Sequence, residues 1–269
     1  MPEGHISHRN AGLFSDALVG RELERVEAPA PRIAGRRFEE RLPGEVVSAA
    51  EAVGKHHILR FESGRLLHSH LLMSGIWRLR RAGGRYPRSG LFLALHTATH
   101  SALLYRCPTV RLFEPGEPLP PFLVGTGPDL LDRGRDPGAD AVAALMGAEG
   151  HRAVGDALMD QRLVAGIGNV YKSETCFLCG VDPWRRLDTL SADEARALGE
   201  TASRLLSDGV GDRGRITTYR PAGAPPWSRE RTWVYGRRGK PCRRCGARIL
   251  SRGQGDANRT TYWCPACQR

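Results

Sequence analysis

The 269-residue chain lacks any apolar run close to the ~20 residues that a membrane-spanning helix needs. It also lacks a segment in which a basic start precedes a hydrophobic core, which is the pattern of a secretory signal. We therefore expect a cytoplasmic protein whose thiols stay reduced. At this length two or more domains are the expectation.

Acidic residues are scarce at the C-terminal end. Residues 228–269 contain eleven Lys or Arg but only two acids, Glu230 and Asp256, so most of the net charge of +11 lies there. A concentrated positive field attracts polyanions. A solvated basic surface is the alternative. An anionic membrane is disfavoured, because no basic amphipathic helix with large apolar anchors is visible.

The spacing of apolar residues divides the chain into segments. Residues 5–20 have helical spacing and stop at Gly20, whereas short apolar runs separated by turn signals predict a β sandwich from residue 21 to about 122. Residues rich in Pro and Gly then predict a linker. Helices are predicted over about 139–147, 151–160, 170–179 and 192–207, the last opened by a capping box at Ser191–Glu194 and ended by Gly209, Gly211 and Gly214.

Four cysteines near the C-terminus lie in two pairs. Cys242 and Cys245 are followed, after eighteen residues, by Cys264 and Cys267. Each pair can supply two thiolates to a tetrahedral ion, so this spacing predicts one structural Zn²⁺. Its binding would supply folding energy to a segment too short to form a core. Four thiolates leave no open coordination position, so no catalytic task is assigned to this zinc.

The other cysteines carry weaker signals. Cys176 and Cys179 form a lone C-x-x-C inside a predicted helix. Ordinary buried thiols are favoured there, with a redox pair or second metal site as the alternative. Cys107 has no visible partner in the sequence.

Residues 158–174, LMDQRLVAGIGNVYKSE, contain two glycines around Ile167 and then Asn169 at the start of a predicted helix. Glycines let the backbone approach a ligand closely, and a helix N-terminus offers unpaired N–H groups to an anion. A helix–turn–helix corner without a ligand is the alternative reading of this spacing.

Three motifs together resemble a known family. MPEG at the start, LMDQxxVAGIGNVYxSE in the middle and VYGRxGxPCxxCG…RTTYWCPxCQR at the end are similar to the bacterial formamidopyrimidine-DNA glycosylase / endonuclease VIII family. The resemblance runs from the first residue to the last. It implies a multidomain α+β fold: an N-terminal β sandwich with a leading helix (1–122), a linker (123–138), a helix-two-turn-helix domain (139–228) and a zinc finger (229–269). It also implies excision of oxidised bases from DNA and nicking of the abasic site.

The resemblance implies that Pro2, exposed by removal of the initiator Met, is the nucleophile. An α-amino group has a pKa of about 7.7–8.0, so a useful fraction is unprotonated near pH 7. Glu3 is implied as the acid/base partner of the sugar. Outside this context, Pro-Glu after Met carries no information.

Several residues match family positions that contact the DNA backbone. Lys55, in a Gly-Lys turn between two predicted strands, matches a lysine near the lesion, with an ordinary hairpin lysine as the alternative. Asn169 and Arg259 match two phosphate ligands, and His70 matches a further position near the backbone. Such contacts set register rather than sequence preference.

An extruded base leaves a gap in the duplex that must be filled. In the formamidopyrimidine branch a methionine, an arginine and a phenylalanine fill it. Met73, Arg111 and Phe113 match these residues by motif and spacing. The alternative is that Met73 and Phe113 belong to the sandwich core.

The chain departs from the formamidopyrimidine branch at its start. That branch has a second functional glutamate at the position of Ile6, so MPEG favours the endonuclease VIII side and oxidised pyrimidines over purines. The lesion-contacting loop, within 213–229, matches neither branch. The expected partner is damaged double-stranded DNA, bound by a monomer at the nucleoid. Alternatives are an abasic-site lyase or adduct-specific glycosylase, and a non-catalytic zinc-ribbon DNA-binding protein.

Overall fold

The computed structural model describes residues 2–107, 109–225 and 228–269. The chain forms two compact units, Met1–Val124 and Gly125–Arg269. Each unit contains its own cluster of buried apolar side chains. No helix in the described ranges is both long and apolar enough to cross a membrane.

The first unit combines one long helix with eight strands. Its elements are α1 (Gly4–Leu18), β1 (Arg25–Glu27), α2 (Pro31–Ala34), α3 (Phe38–Arg41), β2 (Val47–Val53), β3 (His56–Phe61), β4 (Leu66–His70), β5 (Ile76–Arg81), β6 (Leu91–His96), β7 (His100–Tyr105), β8 (Thr109–Phe113) and α4 (Pro121–Val124). The strands form two four-stranded antiparallel sheets, ordered β1-β6-β7-β5 and β2-β3-β4-β8.

Both sheets and α1 contribute to one core, which confirms a β sandwich with a leading helix. Phe14 of α1 is buried with Leu67 of one sheet and Leu104 of the other. The Phe14 ring meets Trp77 edge-on, with ring centroids 5.2 Å apart. This packing anchors the N-terminal helix, because large buried aromatic rings contribute strongly to core stability.

The expectation of strands throughout 21–122 is wrong at residues 31–41, which form two single-turn helices, α2 and α3. Pro31 occupies the first helical position, where its missing N–H costs nothing. Ile33 and Phe38 are fully buried and fix both turns against the core.

The second unit is helical and ends in a hairpin. Its elements are α5 (Pro137–Met146), α6 (Val154–Ala157), α7 (Asn169–Cys179), a 3₁₀ turn (Leu187–Thr189), α8 (Ala192–Gly211), β9 (Leu250–Gln254) and β10 (Arg259–Trp263). The antiparallel β9–β10 hairpin pairs Arg259 with Gln254 and Trp263 with Leu250. The helical domain and the C-terminal hairpin complete the α+β architecture that the motifs imply.

The capping box at Ser191 and Glu194 is confirmed, since each side chain accepts the other's backbone N–H. The predicted end of this helix is wrong: α8 continues through Gly209 and Gly211, and Gly209 is buried. The helix predicted over 151–160 is only the single turn α6. The Asp160 side chain accepts the N–H of Arg162 at 3.0 Å, a local bond that competes with helix continuation.

Candidate functional site

Pro2 and Glu3 are positioned by the start of α1. Glu3 is the N-cap residue, and its carbonyl oxygen accepts the N–H of Ile6 at 2.9 Å. Glu3 is completely buried, and Pro2 is half-buried. A fixed position of this kind suits a reacting group, because misplacement by about 1 Å can cost a hundredfold in rate.

The β2–β3 turn carries Lys55. Val53 pairs with His56, so Gly54 and Lys55 alone form the connection. Gly54 has φ +56°, a left-handed conformation that two-residue hairpin turns require. Burial lowers the pKa of His56 and His70, and the charge of the nearby Lys55 adds to both shifts.

Three histidines cluster on β3 and β4, a feature that the sequence analysis missed. His56 Nδ1 and His68 Nε2 are 2.9 Å apart, and the ring centroids of His56 and His70 are 4.8 Å apart. Burial first, and neighbouring charges second, lower the pKa of His56 to about 3 and that of His68 to about 4. Both rings are therefore neutral at pH 7. The alternation in Leu-His-Ser-His, with His68 and His70 on one strand face, was the available signal.

The connection between β4 and β5 presents two large apolar side chains to solvent. Met73 is 59% exposed and Leu72 is 46% exposed. The N–H of Leu72 donates to Nδ1 of His70 at 3.2 Å. A Cβ at Gly75 would lie 2.6 Å from the carbonyl oxygen of Leu71, so only glycine permits this tight closure.

Arg111 and Phe113 lie on β8 but differ in accessibility. Arg111 is exposed, pairs with Glu117, and places its guanidinium carbon 4.3 Å from the Phe113 ring centroid. Phe113 is 1% exposed and packs with Ile58 and Leu66. In this conformation Phe113 is a core residue, which agrees with the alternative interpretation given for it above. Arg111 is accessible to a ligand.

In the second unit, the start of α7 is tied to β10. The Asn169 side-chain nitrogen donates to the carbonyl oxygen of Thr260 at 2.7 Å, and Arg259 is the exposed residue immediately before Thr260. Asn169 Oδ1 is buried and accepts no hydrogen bond within the described part of the chain. Arg259 also lines a cleft of roughly 330 Å³ that includes Lys172. The fold thus brings two sequence-predicted phosphate ligands to one place.

Glu174, also on α7, is a structural residue that sequence reasoning missed. It is completely buried, and its carboxylate accepts the backbone N–H groups of Trp233, Val234 and Tyr235 at 2.8–2.9 Å. The Thr218 hydroxyl also donates to it. Burial raises the pKa of Glu174, and these hydrogen bonds oppose that shift. The carboxylate therefore links α7 to the segment that leads into the zinc finger.

Lys172 forms a second link from α7, to the hairpin. Its buried ammonium lies 2.5 Å from Oγ1 of Thr261 and 3.5 Å from Oε1 of Gln254. The Thr261 hydroxyl donates to the same Gln254 oxygen at 2.8 Å. Glu174 belongs to the quoted family motif and Lys172 occupies a variable position within it, but residue type alone does not show that their partners are 44 to 89 residues away.

The four C-terminal cysteines form a cluster suited to one metal ion. Their Sγ atoms all lie within 4.8 Å of one another, with Cys242 and Cys267 3.9 Å apart and Cys245 and Cys264 3.5 Å apart. A tetrahedral zinc with Zn–S bonds of about 2.3 Å places its sulfurs about 3.8 Å apart. The thiolates therefore fit one structural Zn²⁺, as the spacing predicted. In the described residues, no other group of three or more potential ligands has this geometry.

The remaining cysteines are free thiols, buried at Cys107 and Cys176 and partly buried at Cys179. Burial raises the pKa of Cys176 to about 12 and that of Cys107 to about 11. Burial also raises the pKa of Cys179, whose thiol donates to the Ala197 carbonyl at 3.4 Å. High pKa values keep thiols unreactive, so the geometry favours the structural interpretation of this C-x-x-C.

Models of three protein families match the chain in sequence order. The formamidopyrimidine-DNA glycosylase N-terminal domain matches residues 1–109, and the formamidopyrimidine-DNA glycosylase H2TH domain matches 134–220. A zinc finger found in FPG and IleRS matches 239–269. The three matches account for the sandwich, the helices and the cysteine cluster.

Similar proteins cover the whole chain. It is 39% identical to a probable endonuclease 8 2 of Streptomyces coelicolor, over all of this chain and 94% of that protein. It is 34% identical to the DNA-(apurinic or apyrimidinic site) lyase Nei2 of Mycolicibacterium smegmatis, over all of this chain and 99% of that protein. A solved structure of a Lactococcus lactis FPG mutant with Fapy-dG-containing DNA matches all of both chains, with 25% identity and a TM-score of 0.80.

Proposed function

Because the chain belongs to the formamidopyrimidine-DNA glycosylase family, we propose that it is a bifunctional DNA glycosylase and abasic-site lyase of base excision repair. Its substrate is damaged double-stranded DNA, bound by a monomer at the nucleoid. The observation that carries this proposal is the pair Pro2 and Glu3 fixed at the start of α1, in a chain that matches the family throughout.

Pro2 is the nucleophile once Met1 has been removed. The lone pair of its secondary amine attacks C1′ of the damaged nucleotide, and the C1′–N bond to the base breaks. The amine then loses its proton, and the C1′–O4′ bond breaks to give an iminium between the proline nitrogen and C1′. This cation withdraws electrons from C2′, so a C2′ proton is lost and the 3′ C–O bond breaks by β elimination. A second elimination breaks the 5′ C–O bond.

Glu3 acts as the acid/base partner. Opening of the deoxyribose ring leaves electron density on the ring oxygen, and a carboxyl group held beside the amine can protonate it. The complete burial of Glu3 is consistent with this role, because it holds the carboxyl group in one position at the start of α1.

Lys55 and His70 in the first unit, and Asn169 and Arg259 in the second, bind phosphates and so position the damaged strand. Support comes from the proximity of Lys55 to His70 and from the Asn169–Thr260 bond beside Arg259. Met73 and Arg111 fill the gap left by the extruded nucleotide. Zinc holds the hairpin that carries Arg259, so its role is structural.

Oxidised pyrimidines are the favoured lesions, as MPEG and the relatives named endonuclease 8 suggest. A second candidate function is abasic-site lyase activity without base excision, because another full-length relative is named as such a lyase. The predicted lesion-contacting loop, 213–229, lies partly outside the described residues, so it does not distinguish the two candidate functions.

Sodium borohydride trapping tests the nucleophile. Reduction of the iminium should join the protein covalently to abasic DNA, and peptide mass spectrometry should locate the adduct on Pro2. Pro2→Gly should trap much more weakly, whereas Pro43→Gly, at an exposed turn, should trap normally. Retained Met1 in active enzyme, or an adduct on a lysine, would refute the assignment.

A panel of duplexes with single defined lesions separates the two candidate functions. Release of an oxidised pyrimidine, followed by strand nicking, supports the bifunctional glycosylase. Nicking of an abasic duplex, with no base released from any lesion, supports the lyase.

A further inference from the structure

One half of the first unit contains no acidic residues. Between Ser63 and Phe113 there are eight arginines, no lysine, no Asp and no Glu. Six of these arginines fall between the start of β5 and the residue that follows β7: 78, 80, 81, 85, 88 and 106. The glycosylase chemistry proposed above uses none of these six.

Three of them line one cavity. A space of roughly 250 Å³ is bounded by Arg78, Arg80 and Arg106 together with Tyr86 and Tyr105. Tyr105 belongs to a small apolar cluster with Leu91, Ala94 and Leu103. Ala94, Leu103 and Tyr105 alternate along their strands with Leu93, Ala102 and Leu104 of the main core, so they lie on the opposite face of the β1-β6-β7-β5 sheet. The register of β6 shifts between Leu91 and Leu93, which allows Leu91 to join them. The cavity therefore has an apolar floor and a basic rim.

Specific contacts hold the walls of the cavity. The Tyr86 hydroxyl donates to Glu27 at 2.7 Å, and the Tyr105 hydroxyl donates to the carbonyl oxygen of Pro87 at 3.0 Å. The N–H of Arg106 donates to the carbonyl oxygen of Gly90 at 2.9 Å. The loop between β5 and β6 is thus fastened at three points around the space.

Arg106 has a backbone conformation that other residue types adopt more easily. Its φ is +49°, in the left-handed region that disfavours side chains with a Cβ. Strained residues of this kind persist where the surroundings impose them, often at ligand-binding positions. A glycine would serve the turn with less strain, so the arginine side chain itself needs an explanation.

The charge on this rim is uncompensated by protein. Within the described residues, Arg78, Arg80 and Arg106 form no ion pair, whereas the nearby Arg25 and Arg88 both pair with Glu27. A basic edge strand could simply discourage strand pairing, which would account for Arg78 and Arg80 on β5. It does not account for Arg106, which follows the last residue of β7 in a strained conformation and lines the same space.

We propose that this cavity is a binding site for a phosphate group, held by the guanidinium groups of Arg78, Arg80 and Arg106. Guanidinium groups match the geometry of phosphate oxygens, and their mutual repulsion falls when an anion lies between them. The volume suits one phosphate with its sugar. The phosphate belongs either to a DNA backbone or to a free nucleotide, and the inference is independent of the proposed glycosylase activity.

Amide NMR of the full-length protein tests the site. Inorganic phosphate and dAMP, titrated at constant ionic strength, should shift the resonances of Gly90 and Arg106. Arg78→Gln/Arg106→Gln should weaken this binding about tenfold or more, as expected for loss of charge-assisted hydrogen bonds. Arg81→Gln/Arg85→Gln removes the same charge from exposed positions outside the cavity and should leave it unchanged.

An undamaged duplex distinguishes the two phosphate sources. If Arg78→Gln/Arg106→Gln weakens duplex binding more than Arg81→Gln/Arg85→Gln does, the phosphate comes from DNA. If Arg78→Gln/Arg106→Gln weakens only dAMP binding, the phosphate comes from a free nucleotide. Arg106→Gly should abolish phosphate binding while keeping or raising the melting temperature. The proposal would be overturned if inorganic phosphate, dAMP and the duplex all left the Gly90 and Arg106 resonances unshifted. It would also be overturned if the two double variants weakened binding equally.

Discussion

The side-chain amide of Asn169 donates a hydrogen bond to the carbonyl oxygen of Thr260 at 2.7 Å, so the first residue of α7 positions the strand that Arg259 begins. The other amide atom, Oδ1, is buried without a hydrogen-bond partner in the described residues. Asn169 is therefore both a potential phosphate ligand and a structural link between the helix and the hairpin.

Replacing Asn169 by Asp should reduce DNA affinity by roughly tenfold or more, because a donor is lost and a negative charge is added beside a phosphate. Fluorescence anisotropy with a labelled abasic-analogue duplex measures this. Asn258→Asp makes the same change at an exposed position of the same hairpin. Equal losses in both variants would show that charge alone, and not the position of Asn169, determines the effect.

Replacing Glu174 by Gln should destabilise the second unit by about 2–4 kcal/mol, because an amide cannot accept four donors as a carboxylate does and its NH₂ group would face backbone N–H groups. Urea unfolding measures the loss of stability, and hydrogen exchange of the amides of residues 232–236 shows whether the loss affects the segment that Glu174 binds. Glu230→Gln removes an exposed carboxylate paired with Arg243 and should change stability much less, because water and salt screen an exposed ion pair. Similar values for both variants would contradict a structural role for Glu174.

The sequence predicted the overall architecture well, because strand alternation, the capping box and the cysteine spacing are local signals. It also matched Asn169 and Arg259 to a shared role, and the fold places them together. It could not show the long-range partners of Glu174 and Lys172, since residue type does not reveal where a buried charge finds its donors or acceptors.

Other features depend on packing that the sequence does not specify. Phe113 fits the spacing of a gap-filling residue, but whether a strand side chain faces solvent or core depends on the neighbouring strand and its packing. Gly209 and Gly211 predict the end of a helix because glycine has a low helix propensity. In α8, tertiary packing overrides this propensity and the helix continues through both. The histidine cluster requires the β3–β4 register, which the sequence alone does not specify.

Removal of zinc should unfold the hairpin and abolish DNA binding, while the first unit stays folded on its own core. Limited proteolysis with mass spectrometry should show new cleavage within residues 239–269 after chelation. Cys245→Ser should lower the zinc content below one per chain, whereas Cys179→Ser should keep one zinc. Unchanged proteolysis of the chelated tail would show that the metal does not supply its folding energy.

The stability of the first unit should fall as the pH falls below about 6.5, the ordinary pKa of histidine in an unfolded chain. The folded pKa values of His56 and His68, about 3 and about 4, are lower, so the unfolded state binds more protons between these limits. The stabilisation from these neutral rings is complete above pH 6.5. It is lost as the pH falls toward the folded values, at about 1.4 kcal/mol per histidine per pH unit.

Hydrogen exchange of β3 and β4 amides between pH 7 and pH 5, corrected for intrinsic rates, measures this slope. Most carboxyl groups titrate below this range, so histidines dominate it. His56→Gln/His68→Gln should reduce the slope without abolishing it, because burial also lowers the pKa of His57, on the same strand, to about 3. His100→Gln, outside the cluster, is the control for replacing a histidine. A flat profile in the unmodified protein would contradict neutral buried rings.

Met73 and Phe113 match the same family function but should respond oppositely to truncation. Phe113→Ala should destabilise the first unit by about 3–5 kcal/mol, because the ring is buried with Ile58 and Leu66. Met73→Ala should change stability by less than about 0.5 kcal/mol, because the side chain is mostly exposed. Thermal unfolding of both variants measures this contrast.

We expect the exposed side chains of Met73 and its neighbour Leu72 to act in catalysis, by filling the gap that an extruded base leaves in the duplex. Met73→Ala should slow base release from duplex DNA by about tenfold or more, since extrusion costs a few kcal/mol that a filled gap offsets. Nicking of an abasic site in single-stranded DNA, where there is no stack to fill, should be unaffected. Met146→Ala truncates a methionine of similar exposure on α5 and is the matched control in single-turnover assays. If Met73→Ala and Met146→Ala release bases at the same rate, the β4–β5 loop does not fill the gap.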